Sequence, residues 1–194
     1  MKITKIETWK YWIDWCNWLL VKVSTDEGLY GWGEGSLHGA IQSVETAVHE
    51  IGAGLIGKDP SGVGRHWLSM YHGWRWRGGP TLFTAMAALD IALWDIEGKR
   101  LGVPVYRLLG GPYRDRLRAY ASHWLRDATT PEQAYDGAKR AVEAGFSAFK
   151  WSPFRLASLH ENEAAAIRHA TELMAAAREA VGPDIDIFCE CSEF

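Results

Sequence analysis

The sequence predicts a chain in two regions, an α+β region followed by strands and helices in alternation. Three observations carry this. Runs rich in β-branched and aromatic residues, bounded by turn residues, open the chain. Alanine-rich stretches with apolar residues every three or four positions follow them. Beyond "PVYRLLGGPYRDRL", short apolar runs alternate with long amphipathic ones, the pattern of a parallel sheet with helical crossovers. The division is therefore placed at 1–117 and 118–194. Three alternating strands begin either a doubly wound sheet or a (β/α) barrel, and the pattern does not choose between them.

In the first region a strand is expected near residues 2–9, a loop near 10–17, a strand at 18–25 and a third strand in "LYGWGEG". "TDEG" at 25–28 is a hairpin turn, because Asp and Gly adopt the backbone angles a tight reversal needs. Trp9, Trp12, Trp15 and Trp18 recur every three residues, which suits one helix face, but the flanking β-branched residues favour strands joined by a loop. Their expected role is core and interface packing, with an aromatic wall for a ligand as the functional alternative. Two or three helices follow. "IQSVETAVHEIGAGLIG" places Ile41, Val44, Val48, Ile51 and Leu55 on one stripe, and "TLFTAMAALDIALWDIEGKRLG" is too rich in alanine for a strand.

In the second region "RAYASHW" reads as a strand. "TPEQAYDGAKRAVEAG" reads as a helix with Thr130 as N-cap, Pro131 in the first turn, Gln133 at the capping-box position and a terminal Gly145. "FSAFKWS" is a second strand, "HENEAAAIRHATELMAAAREAVG" a second long helix and "IDIFCEC" a third strand. Strand pleating puts Lys150 and Ser152 on one face, opposite Phe149 and Trp151. It likewise puts Glu190 and Ser192 opposite Cys189 and Cys191. In a barrel, the apolar residues and thiols would pack outward against helices. Lysine and glutamate would then stand at the inner C-terminal rim, where barrel enzymes place their chemistry.

Composition excludes several classes. The net charge of −3 and the absence of a basic run argue against nucleic acid as a partner. No stretch reaches the roughly 18 apolar residues of a membrane span, and "MKITKIETWKYW" lacks a signal-peptide core, so a cytoplasmic protein without a membrane partner is expected. Three cysteines without CxxC spacing read as reduced thiols rather than a structural zinc site.

Residues 85–110, "AMAALDIALWDIEGKRLGVPVYRLLG", resemble the signature of the mandelate racemase and muconate-lactonising branch of the enolase superfamily. The resemblance rests on Leu89, Asp90, Ala92, Asp95, Gly98, Lys99, Pro104 and the run Leu108 to Gly110. "MKITKIET", "TDEGLYGWGE" and "WRGGPTLFTAMAALDIALWDI" are most similar to acid-sugar dehydratases of the galactonate type. The resemblance implies an α+β capping domain followed by the first strands and helices of a (β/α)7β TIM-like barrel. It also implies Mg²⁺ as cofactor, a small acid-sugar substrate and a homo-oligomer. The implied chemistry removes the proton beside a carboxylate to give an enediolate, then expels the β-hydroxyl. A dense positive charge must meet the charge developing on the carboxylate, and the base is a lysine or histidine.

Carried over residue by residue, the resemblance assigns Glu190 to the first metal-binding carboxylate, usually Asp, and Lys150 to a lysine that grips the substrate carboxylate. Ser192 stands where galactonate-type enzymes carry a histidine acid, and serine does not titrate near neutral pH. Ser152 replaces the catalytic lysine of racemases, which disfavours the alternative of an acid-sugar epimerase. His38 and His123 stand where relatives contact substrate, and Arg75 and Arg77 in "GWRWRGGP" lie near the expected mouth, where an arginine either grips a substrate carboxylate through two parallel bonds or makes a surface or subunit contact. Asp95 and Lys99 are spaced for a helical ion pair and read as structural. The further metal ligands and a late-strand histidine base would lie beyond Phe194. The expectation is thus a dehydratase-like hydro-lyase represented by a partial barrel, or a non-catalytic relative of one.

Overall fold

The structure is a computed structural model that describes residues 1–13, 16–73, 75–154 and 162–191. The chain divides into two compact units, Met1–Tyr113 and Arg114–Phe194.

The first unit opens with β1 (Ile3–Ile13), β2 (Cys16–Thr25) and β3 (Tyr30–Glu34), an antiparallel sheet in the order β1-β2-β3. Within the loop expected at 10–17, residues 10–13 and 16–17 are instead ladder. Tyr11 pairs with Trp18, Trp12 with Asn17 and Ile13 with Cys16, because aromatic and β-branched residues on both strands prolong cross-strand pairing beyond Trp9. The "TDEG" turn closes with Thr25 N–H donating to Leu29 C=O at 2.9 Å, and Gly28 takes a φ of 83°.

Alternation sorts the sheet into two faces. Leu19, Val21 and Val23 are buried against helices. Trp9, Trp18, Tyr30 and Trp32 stand on the opposite, exposed face, where Trp9 and Trp32 lie 5.3 Å apart. Trp12, on the helix-facing side by its register with Asn17, is nonetheless 60% exposed. The core role expected of the tryptophan series is therefore corrected for Trp9, Trp12 and Trp18, while Trp15 lies outside the described residues.

Against the inner face pack α1 (Ile41–Ala53) and α3 (Pro80–Leu101), with α2 (Val63–His72) packed on α3, and the short α4 (Val105–Leu108) follows. Of the expected stripe, Val44, Val48, Ile51 and Leu55 are buried and Ile41 is partly buried against the same core. α3 begins with Pro80 in its first turn and stops at Gly102 in the left-handed conformation, with Lys99 and Arg100 at its negative end. It passes β3 so closely that a Cβ on Gly31 or Gly33 would fall 1.9 or 1.8 Å from the Ala92 or Ala88 carbonyl oxygen. Two glycines let the helix lie on the sheet.

The second unit holds β4 (Ala121–Ser122), α5 (Pro131–Glu143), β5 (Ala148–Trp151), α6 (Glu163–Val181) and β6 (Asp186–Cys189). The strands are parallel, in the order β4-β5-β6. The strand expected across "RAYASHW" contracts to two residues, since a left-handed His123 (φ 64°) breaks the pleat immediately after Ser122. The capping box of α5 is complete, with Thr130 Oγ1 accepting from Gln133 N–H and Gln133 Oε1 accepting from Thr130 N–H, each at 3.3 Å. Asn162 caps α6.

Phe149 and Trp151 are buried on one sheet face with Ala134, Ala138, Leu173 and Ala177 of the two helices. Sequential strands with both crossover helices on one face are the winding that a barrel repeats. No helix among the described residues is long and apolar enough to cross a membrane.

Candidate active site

The polar face of the second unit's sheet is built by register. Parallel pairing sets Ser122 beside Lys150 and Lys150 beside Phe188, while Trp151 pairs with Cys189. Partners in a parallel ladder project to the same side, so Ser122, Lys150 and Phe188 share the face opposite Phe149 and Trp151. One residue further along, Glu190 N–H donates to the Trp151 carbonyl at 3.0 Å, which extends the β5–β6 pairing past the end of β6.

Lys150 and Glu190 meet on this face. Lys150 Nζ donates to Glu190 Oε2 at 3.0 Å, with the side chains 28% and 32% exposed. Partial exposure moderates the pair's worth to stability, but both charged tips remain reachable from solvent.

Ser122 Oγ lies 3.1 Å from His123 Nδ1, and His123 N–H reaches the Lys150 carbonyl at 3.4 Å. His123 thus borders the pair through backbone and serine. Ser122 was missed in the sequence, because only tertiary register sets it level with Lys150. Ser152 Oγ is buried and has no hydrogen-bond partner among the described residues.

The thiols depart from expectation. Cys189 and Cys191 are exposed instead of packed against helices, and their sulfurs lie 3.8 Å apart. The described helices α5 and α6 cover Phe149 and Trp151 of the central strand, leaving the face of β6 beyond Ile187 uncovered by them. Partial desolvation, followed by the hydrogen bond with Cys191, pushes the Cys189 thiol up to about 11.

His38 and Arg77 belong to the first unit and are both exposed, His38 following β3 and the Arg77 guanidinium lying 5.4 Å from the Tyr71 ring centre. Arg75 is exposed in the same segment. Ser192 lies outside the described residues.

A hard divalent cation needs several oxygen ligands. The described residues include no group of three or more His, Cys, Asp or Glu placed to hold a metal. Among the described residues Glu190 offers a fitting carboxylate at the strand end, and Lys150 is already hydrogen-bonded to it. The donor set fits one corner of a Mg²⁺ site.

The sequence pattern of the mandelate racemase / muconate lactonizing enzyme N-terminal domain matches residues 14–110. The chain belongs to this family. Its similarity to a D-galactonate dehydratase of Pectobacterium atrosepticum is 41% identity over 186 residues, 96% of this chain and 47% of the relative. A crystal structure of an enolase superfamily member from Salmonella Typhimurium superposes with a TM-score of 0.90 at 34% identity, covering 98% of this chain and 54% of that one. A structure from Burkholderia xenovorans strain LB400, bound to magnesium and fumarate, gives 0.85 at 27% identity, covering 96% and 53%. The chain spans about half the length of these relatives. Within the family it comprises the N-terminal capping domain and an incomplete barrel.

Proposed function

We propose that this chain is part of a Mg²⁺-dependent acid-sugar dehydratase that removes the α-proton of an aldonate or aldarate and then eliminates the β-hydroxyl. The observation that carries the reading is the Lys150–Glu190 pair, 3.0 Å apart at the C-terminal ends of adjacent parallel strands. The 41% identity to a D-galactonate dehydratase supports the substrate class.

In this reading Lys150 binds a substrate carboxylate, with its ammonium held on the polar face by Glu190. A carboxylate gripped by a cation is a better electron sink, which lowers the barrier to removing the neighbouring proton. Glu190 offers one hard oxygen ligand, and Mg²⁺, when bound, would neutralise charge developing on that carboxylate. His123 borders the same rim and contacts the sugar chain. His38 and Arg77 supply substrate contacts from the capping domain, Arg77 through its two-pronged guanidinium. Ser192 stands at the position of the leaving-group acid, a role its hydroxyl fills poorly. The base comes from a later barrel strand, and the whole protein assembles as a homo-oligomer in the cytoplasm.

The test is incubation of the full-length protein with Mg²⁺ and a panel of aldonates and aldarates, following keto-acid formation and exchange of the α-proton in deuterium oxide. Turnover of one acid sugar, lost in Lys150→Met and Glu190→Gln, is the expected result. Absence of both exchange and elimination across the whole panel would sink the reading.

A further inference from the structure

The side chain of Ser152 presents a hydroxyl that is shielded from solvent and without a hydrogen-bond partner among the described residues, an arrangement that native proteins rarely keep without a use for it. Its place is informative. Ser152 follows β5 by one residue, and the alternation that buries Phe149 and Trp151 assigns Ser152 to the side of Lys150. The register Lys150 to Phe188 and Trp151 to Cys189 continues to set Ser152 level with Glu190. The Glu190 N–H bond to the Trp151 carbonyl confirms that the ladder reaches this far. The carboxylate of Glu190 is itself hydrogen-bonded to Lys150.

We infer that Ser152 is a ligand-binding residue of this site, its Oγ–H donating to an anionic or hydroxyl oxygen of the acid that Lys150 grips. The inference rests on the acid-sugar reading and names a specific donor within it. A hydroxyl can supply what a lysine at the same position would not. It donates one short, neutral hydrogen bond without adding a second cation beside Lys150, so the charge of the site stays set by Lys150 and Glu190. Ser152 also needs no competing internal bond to be broken before ligand arrives, and a donor without a prior partner gives its whole hydrogen bond to the ligand.

The experiment uses full-length protein and its Ser152→Ala and Ser152→Thr variants, with D-galactonate and L-malate as probes. Calorimetry reads affinity, and the thermal midpoint without acid reads the hydroxyl's structural worth. Ser152→Ala is expected to weaken binding of the acid by about tenfold, the worth of one hydrogen bond. Its midpoint without acid should equal or exceed that of the wild type, because a buried donor lacking a partner has been removed. Ser152→Thr keeps the hydroxyl and should restore most of the affinity.

Equal affinity in Ser152→Ala and wild type overturns the inference alone, leaving the acid-sugar reading intact. A lower midpoint in Ser152→Ala also overturns it, since the hydroxyl would then have a structural bond. Wild-type protein that binds neither acid overturns both readings together.

Discussion

Asp95 on α3 accepts the backbone N–H of Trp32 on β3 at 2.9 Å, and the same Oδ2 receives Lys99 Nζ at 2.7 Å. Lys99 also donates to the Tyr30 carbonyl at 2.8 Å. One helical ion pair therefore satisfies an N–H and a C=O on the free edge of the sheet, which would otherwise be a template for pairing with another chain. Asp95→Ala is expected to cost about 1–2 kcal/mol, as a charge-assisted bond to the backbone is lost. Urea denaturation followed by tryptophan fluorescence measures it, and an unchanged midpoint would contradict the assignment.

Gly33 should tolerate no side chain. Its added Cβ would meet the Ala88 carbonyl oxygen at 1.8 Å, a backbone atom that cannot swing aside. Gly33→Ala should destabilise by more than about 4 kcal/mol, the range reserved for gross steric faults. Gly64 on α2 meets nothing within 4 Å, and Gly64→Ala should be neutral or stabilising by up to about 1 kcal/mol. Circular dichroism melts of the two variants give the contrast.

Glu45 carries a prediction about acid. A hydrogen bond from Lys10 Nζ at 2.6 Å, joined by one from Thr8, holds its carboxyl below the ordinary glutamate range. A group whose pKa falls on folding stabilises the protein above its unfolded value of 4.5 and loses that contribution as pH drops through the lower folded value. Lys10→Met should therefore reduce stability at pH 7 while leaving it nearly unchanged well below pH 4. Paired denaturation curves at neutral and acid pH test the sign.

Lys150→Met separates structure from chemistry. The Lys150–Glu190 pair is about one-third exposed, and such pairs contribute about 1 kcal/mol or less. The variant should fold with near wild-type stability yet lose activity in the full-length protein by two or more orders of magnitude. A collapse in stability of similar size would mark the lysine as structural.

Thr130→Ala should cost about 1 kcal/mol, since it removes the acceptor for Gln133 N–H and half of the capping box of α5. A chemical denaturation midpoint decides it.

Much of this was legible locally. The α5 cap, the "TDEG" turn and the stripe Val44, Val48 and Ile51 were readable because each depends on residues within one or two turns of each other. The Asp95–Lys99 pair followed from helix spacing alone, but its attachment to Trp32 and Tyr30 joins residues more than sixty positions apart. The loop expected at 10–17 failed for the same kind of reason. Aromatic residues at a three-residue spacing carry no clear strand signal, and pairing of Tyr11 with Trp18 is a property of two strands.

Pleat parity, fixed by the order of residues, determined that Lys150 and Glu190 each stand opposite their apolar neighbours. Whether those two faces coincide depends on how the strands align. Only the parallel register Lys150 to Phe188 brings Glu190 within 3.0 Å of Lys150, raises Ser122 to the same level and sets Ser152 beside them. A shift of one residue in that register would send the carboxylate to the helix side, because side-chain direction reverses at every step along a strand.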